Sequence, residues 1–275
     1  MSWPVTGLHL GYSPEDLATS PYARFWRPEL APLAEHLRLA LLTGGLAEEL
    51  LPPVSAAAQL QDSGDWPVET GFSLTADGAA RVFVRTPMPG VTPAMWDWWF
   101  AWHGSEAQRY KLWHPRAHVW VGWADGRSDL THYVGRTSHV VEYVGSPKLR
   151  LGIRFVAPAE VGLDEARLTA AGEVAICARG SLAGAPVETG WLIHHLRPVA
   201  GGCEMRSRFW IAGENVRPKN ISGGIGAAIG RTMGRLARPK AVEAADLLVH
   251  CAQEMGHLAA ILPALYAEFG PEAAS

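Results

Sequence analysis

Cysteine is scarce in this chain. Cys177, Cys203 and Cys251 are the only three in 275 residues, an odd number without C-x-x-C spacing. That argues against a disulfide framework or a zinc ribbon and makes a reducing cytoplasm the expected location. An excess of one charge is missing too, with 24 Lys and Arg against 27 Asp and Glu. Such a balance gives no electrostatic reason to expect nucleic acid or an anionic membrane as partner. No run of about 18 apolar residues is free of charges or breakers, so no membrane span is expected. The opening MSWPVTGLHLGYSPEDL lacks the basic start and apolar run of a signal peptide. Glycine-rich NISGGIGAAIGRTMGRLARP lacks the spacing of a phosphate loop and reads as a small-residue helix or a lid loop. No internal repeat is visible.

Tryptophan, by contrast, is plentiful. There are 12, concentrated between Trp96 and Trp123. Rings packed this way either fill a core or wall a cavity. Hydrophobic residues make up 48%, enough for a sizeable core in one large domain, alone or with an extension. Residues 1–65 read as an α-rich N-terminal extension, with a helix in APLAEHLRLALLTG and a turn-rich boundary in LLPPVSAAAQLQDSGDWP. Residues 66–275 form the main unit. TGFSLTADGAARVFVRTPMPG predicts two strands about an Asp-Gly turn. TPAMWDWWFAWHG predicts a short buried helix with Thr92 as N-cap and Pro93 in its first turn. From about 114 to 212 short β-rich runs alternate with Gly, Pro and Asp turns. After Pro239 comes a long amphipathic helix, with Pro263 as a place for a kink. This is an α+β order, an antiparallel sheet followed by one long helix. It is the pattern of a helix-grip (Bet v 1/START-like) fold, which leaves a ligand cavity between sheet and helix.

Several residues suggest chemistry. In VHCAQEMGHL, His250 and Glu254 are four apart, so they lie about 40° apart around a helix and can reach one metal ion. His114 and His118 flank a turn at Pro115; His118 opens a strand and faces a possible cavity, while His114 belongs to the turn. Glu142 shares a strand face with Val140 and Val144, and an inward glutamate there needs a cation or a proton. His194 and His195 face opposite sides of a strand, so one at most reaches the cavity. Arg206, Arg208 and Glu204 share a strand face that reads equally well as a solvated charged surface. Each feature alone is more often structural: an exposed helix pair, a turn histidine, an edge glutamate. As a set on sheet and helix, two imidazoles and two carboxylates suit a divalent ion, zinc first, then manganese or iron.

Three blocks, MWDWWFAWHGSEAQRYKLWHPRAHV, HLRPVAGGCEMRSRFWIAG and VHCAQEMGHL, resemble the 2,4-diacetylphloroglucinol hydrolase family, which includes phloretin hydrolases. SPYARFWRPELAPLAEHLRLALLTG resembles its helical N-terminal segment, so the resemblance covers nearly the whole chain. It implies a helix-grip domain behind a smaller N-terminal domain, a zinc ion and a homodimer. It also implies hydrolysis of the carbon–carbon bond between a phenolic ring and an acyl group, with a small aromatic acylphenol as substrate. Carried over by motif, the metal ligands fall on His118, Glu142, His250 and Glu254. Tyr110, eight residues before His118, takes the place of a substrate-contacting tyrosine and favours His118 over His114. His194 takes the place of a cavity histidine. Phe209 stands where the family commonly has a tyrosine, which loses a hydroxyl and leaves the exact substrate open. The stretch between His118 and Glu142 is shorter than in the best-known members. Tyr110 and His194 are expected to hold phenolic oxygens, Glu254 or Glu142 to act as base, and Trp98 and Trp113, with Trp99 and Trp102, to wall an aromatic pocket. Two readings compete: a non-catalytic helix-grip protein binding a hydrophobic aromatic ligand, and a metal hydrolase of β-diketones or esters.

Overall fold

The Asp77-Gly78 pair reverses the chain as its residue types predict. Gly78 takes φ +90°, open to glycine at little cost, and joins β1 (Gly71–Leu74) to β2 (Ala79–Pro89). A computed structural model of the chain describes residues 3 and 8–271 apart from 130, 220, 222 and 237. The further strands are β3 (His118–Trp123), β4 (Thr137–Tyr143), β5 (Lys148–Val156), β6 (Val174–Leu182), β7 (Val187–Glu188), β8 (Gly190–Val199), β9 (Gly202–Ala212) and β10 (Arg217–Pro218). Eight of them form one antiparallel sheet in the order β1-β2-β9-β8-β6-β5-β4-β3, while β7 pairs with β10. The helices are α1 (Pro14–Thr19), α2 (Glu35–Thr43), α3 (Pro93–Trp102), α4 (Ala107–Trp113), α5 (Glu165–Ala171), α6 (Gly223–Leu236), α7 (Ala241–Ala259) and α8 (Leu262–Phe269).

Alternation along the strands divides the core in two. The inner face meets α7, which packs on β1 and β2 and reaches α4. Leu248, Cys251, Met255 and Leu258 of α7 are fully buried there among Val82, Val84, Met205 and the tryptophans of α3. Each large apolar side chain so buried contributes about 1.5–3 kcal/mol. A curved antiparallel sheet gripping a long helix near its C-terminal end is the helix-grip architecture the element order predicts. The long helix is broken, not kinked: α7 ends at Ala259 and α8 begins at Leu262, with Pro263 in its first turn. Proline has no N–H to give and blocks the carbonyl four residues back, so it opens a new helix more readily than it continues one.

The outer face carries the second cluster. Leu51, Ala57, Leu60 and Trp66 of the N-terminal region, with Leu163 and Leu168, cover Phe83, Cys177, Ile193 and Trp210. Tyr12, Tyr22 and Leu37 join the inner cluster instead. The described part of the 1–65 extension therefore joins both clusters: Leu51, Ala57 and Leu60 lie on the outer sheet face, while Tyr12 meets α4 and Tyr22 meets α3 and α8. This cover corrects one expectation. Arg206 and Arg208 do not form a solvated face: both are completely buried and both donate to Glu69. The glycine-rich segment is a helix, not a loop, because Gly226, Gly230 and Gly234 bring α6 against backbone. A Cβ at Gly230 would stand 2.0 Å from the Val216 carbonyl oxygen.

Candidate metal centre

His118 opens β3 directly opposite Glu142 of β4. Val121 and Trp123 of β3 belong to the inner core, and strict alternation from them would turn His118 outward. A bulge between His118 and Trp120 restores it, adding the one residue that re-aims the side chain inward. Its ring lies flat on Tyr110, with centroids 3.8 Å apart. Nδ1 is 3.0 Å from the Tyr110 carbonyl oxygen. A carbonyl only accepts, so Nδ1 carries the hydrogen and Nε2 presents its lone pair. That Nε2 is fully buried and has no hydrogen-bond partner.

The i,i+4 pair on α7 faces it. Glu254 Oε2 is 3.3 Å from His118 Nε2 and 3.7 Å from His250 Nε2. The ligand atoms of His118, His250 and Glu254 all lie within 4.8 Å of one another. Four ligands around zinc stand about 3.4 Å apart, so the spacing fits such an ion. Glu142 is brought to the edge of this triple: its Oε2 is 3.7 Å from His118 Nε2 and accepts the Tyr110 hydroxyl.

The electrostatics point the same way. Burial, and then the Glu142 charge, hold the Glu254 carboxyl well above the usual carboxylate range. Burial pushes Glu142 up to about 7, against the Tyr110 hydrogen bond that lowers it. Burial drives His250 down to about 4 and His118 well below its ordinary value. The imidazoles are therefore neutral, and none of these contacts is an ion pair. Ionising the two carboxyls in this buried site is costly unless a cation enters. The donor set, the orphaned Nε2 and the fixed tautomer of His118 fit a divalent metal ion.

His114 lies at its turn as expected and is buried there. Its ring stacks on His250 at 5.1 Å, outside the triple. His194 faces inward, with Nδ1 2.9 Å from Ser207 Oγ and the rings of Phe100 and Phe209 each 5.8 Å away. His195 faces outward and meets Glu173. Trp113 stands edge-on to His118 at 5.4 Å. Trp98 stacks on Trp102 and meets Tyr266 of α8, on the far side of α3. Sequence reasoning did not single out Ser207, whose hydroxyl meets His194. Ser207 shares a strand face with Phe209, two positions on, and that parity was its only signal. A cleft of about 290 Å³ lined by Ser105, Gln108, Trp120 and Arg127 includes none of the cluster, which is interior.

Comparison with known proteins bears on this site. A family model described as the DAPG hydrolase PhiG domain matches residues 50–267. A 2,4-diacetylphloroglucinol hydrolase of Pseudomonas sp. is 31% identical over 268 residues, 92% of this chain and 90% of that protein. A phloretin hydrolase of Eubacterium ramulus is 33% identical over 285 residues, 98% of this chain and 96% of that protein. Among solved structures, protein CV1439 from Chromobacterium violaceum is 13% identical with a TM-score of 0.35, covering 66% of this chain and 97% of that one.

Proposed function

The chain belongs to the DAPG hydrolase family, and from that premise we infer that it hydrolyses the carbon–carbon bond between a phenolic ring and an acyl group, with zinc at His118, His250 and Glu254. One observation above all supports this reading. The buried Nε2 of His118 has no partner, and Glu254 and His250 meet at the point it faces. Zinc held there supplies Lewis acidity toward an acyl carbonyl and acidifies a water beside it.

The remaining demands fall on the chain's own residues. An aryl carbon leaves poorly. Moving a phenolic proton to the ring carbon that bears the acyl group gives a vinylogous β-diketone, and the ring then departs as a stabilised enol. His194, neutral and inward, takes the hydrogen of one phenolic hydroxyl and steers it to that carbon. Tyr110 has already committed its own hydrogen to Glu142, so toward substrate its oxygen accepts from a second phenolic hydroxyl. Glu142, at the edge of the triple, is the loosely held carboxylate and takes the proton from the attacking water. Trp113, Phe100 and Phe209 supply apolar walls that exclude bulk water.

The test combines elemental analysis with an acylphloroglucinol assay. About one zinc per chain, together with release of a carboxylic acid and the deacylated phenol, is expected. Metal and turnover should both vanish in a His250→Ala, Glu254→Ala double variant that keeps its circular dichroism. A parent that binds no zinc and cleaves nothing would leave the ligand-binding reading instead.

A further inference from the structure

The hydrolase reading leaves one question about His194: which of its nitrogens carries the hydrogen. Burial alone pushes this imidazole down to about 3, so it works as a neutral ring with one donor and one acceptor. Among the described residues its one hydrogen bond runs through Nδ1 to Ser207 Oγ at 2.9 Å. Nε2 is left without a protein partner, beside Phe100 and Phe209.

Ser207 is itself unusual. It is completely buried on the inner face of β9, between Met205 and Phe209, where a hydroxyl is costly unless bonded. It is the direct cross-strand partner of His194. Near it on α7 is Cys251, buried and directly following His250, whose thiol pKa Ser207 draws down against the larger effect of burial. A buried contact therefore joins β8 to β9, with α7 beside it.

We propose that Ser207 is a positioning residue that fixes the tautomer of His194. Nδ1–H donates to Ser207 Oγ, the Ser207 hydroxyl hydrogen passes on to the Cys251 sulfur, and the Nε2 lone pair is left to face the substrate. The direction follows from the chemistry required of the ring. A nitrogen that must accept a phenolic hydrogen cannot already carry one. The proposal thus rests on the hydrolase reading for its direction, while the contact itself does not.

The experiment uses zinc-loaded full-length protein labelled with ¹⁵N-histidine. The His194 signals are identified by their loss in His194→Gln, and its tautomer is read from long-range ¹H–¹⁵N couplings. The parent is expected to show a single Nδ1–H form. Ser207→Ala is expected to shift toward Nε2–H or a mixture, and Ser207→Thr to return the parent pattern. On an acylphloroglucinol, kcat should fall about tenfold or more in Ser207→Ala, with KM near the parent value and turnover recovered in Ser207→Thr. An Nε2–H parent, or an Ser207→Ala protein with the parent tautomer, overturns the proposal. Should Ser207→Ala fail to fold, the parent spectrum and that of Cys251→Ala decide, since loss of the sulfur must disturb the same single form. A parent that cleaves no acylphenol would defeat the hydrolase reading, and the tautomer readout would still decide the role of Ser207.

Discussion

The roles of Glu142 and His118 separate at the level of single atoms. His118 offers a lone pair that nothing else uses, so the cluster has no ion site without it. Glu142 already accepts a hydrogen bond from Tyr110 and stands beside the triple. His118→Ala should therefore lose bound metal outright. Glu142→Gln should keep most of it while kcat falls by roughly 10²-fold, the scale on which a general base acts. Metal content and kcat measured on both variants check this. Equal loss of zinc in the two would make Glu142 a full ligand. Phe209 sets a second residue-level expectation. It meets His194 edge-on and brings no hydroxyl. Phe209→Tyr adds one neutral hydrogen bond, so it should favour acylphenols with an extra ring hydroxyl by about two- to tenfold in kcat/KM over those without. An unchanged preference between two such substrates would place the ring face elsewhere.

At the scale of elements, what the sequence reveals depends on whether a pattern is regular. The i,i+4 spacing of His250 and Glu254 is helical arithmetic, and α7 delivers both to one buried face. The parity of Val140 and Glu142 is strand arithmetic, and it holds across β4. The inward turn of His118 follows from neither. It needs the bulge at Val119, an irregularity that no period announces. The cover over the outer sheet face was equally hidden. The contacts of Arg206 with Leu60 and Glu69 span 146 and 137 residues, and alternation within β9 says nothing about what lies above it. α7 also carries a local inconsistency. Gly256 sits in its interior, exposed, at ordinary helical backbone angles, and an added Cβ would meet nothing within 4 Å. Gly256→Ala should stabilise the protein by about 0.5–1 kcal/mol, because glycine loses more freedom than alanine on entering a helix. A urea midpoint unchanged or lowered, at constant metal content, would mean that Gly256 serves an approach to α7 not made by the isolated chain.

Across the whole molecule, β9 connects two environments of opposite character. Its inner face presents Met205 and Phe209 to the inner core and Ser207 to His194; its outer face presents Arg206 and Arg208 to Glu69. Trp66 lies over both guanidiniums, 5.9 and 5.2 Å from its ring. Arg206 also donates to the Leu60 carbonyl, which fastens the N-terminal layer to the back of β9. Burial raises the Glu69 pKa, but the hydrogen bond from Arg206 and the charges of Arg208 and Arg206 outweigh it, and the carboxyl ends below its ordinary value. A depressed carboxylate contributes stability above its unfolded pKa, and that contribution is lost as pH falls through the lower folded value. Glu69→Gln removes the anion and strands two buried cations, so it should cost about 3–5 kcal/mol at pH 7. The variant should also lose part of the parent's decline in stability on acidification. Urea unfolding of both proteins from pH 7 down to the acid range reads both effects. The two curves should be farthest apart near neutrality and converge as Glu69 protonates in the parent. Parallel curves would assign the cost to packing alone. Convergence with a loss of turnover would mean that the outer ion cluster sets the position of β9, and through it Ser207 and Phe209 beside His194.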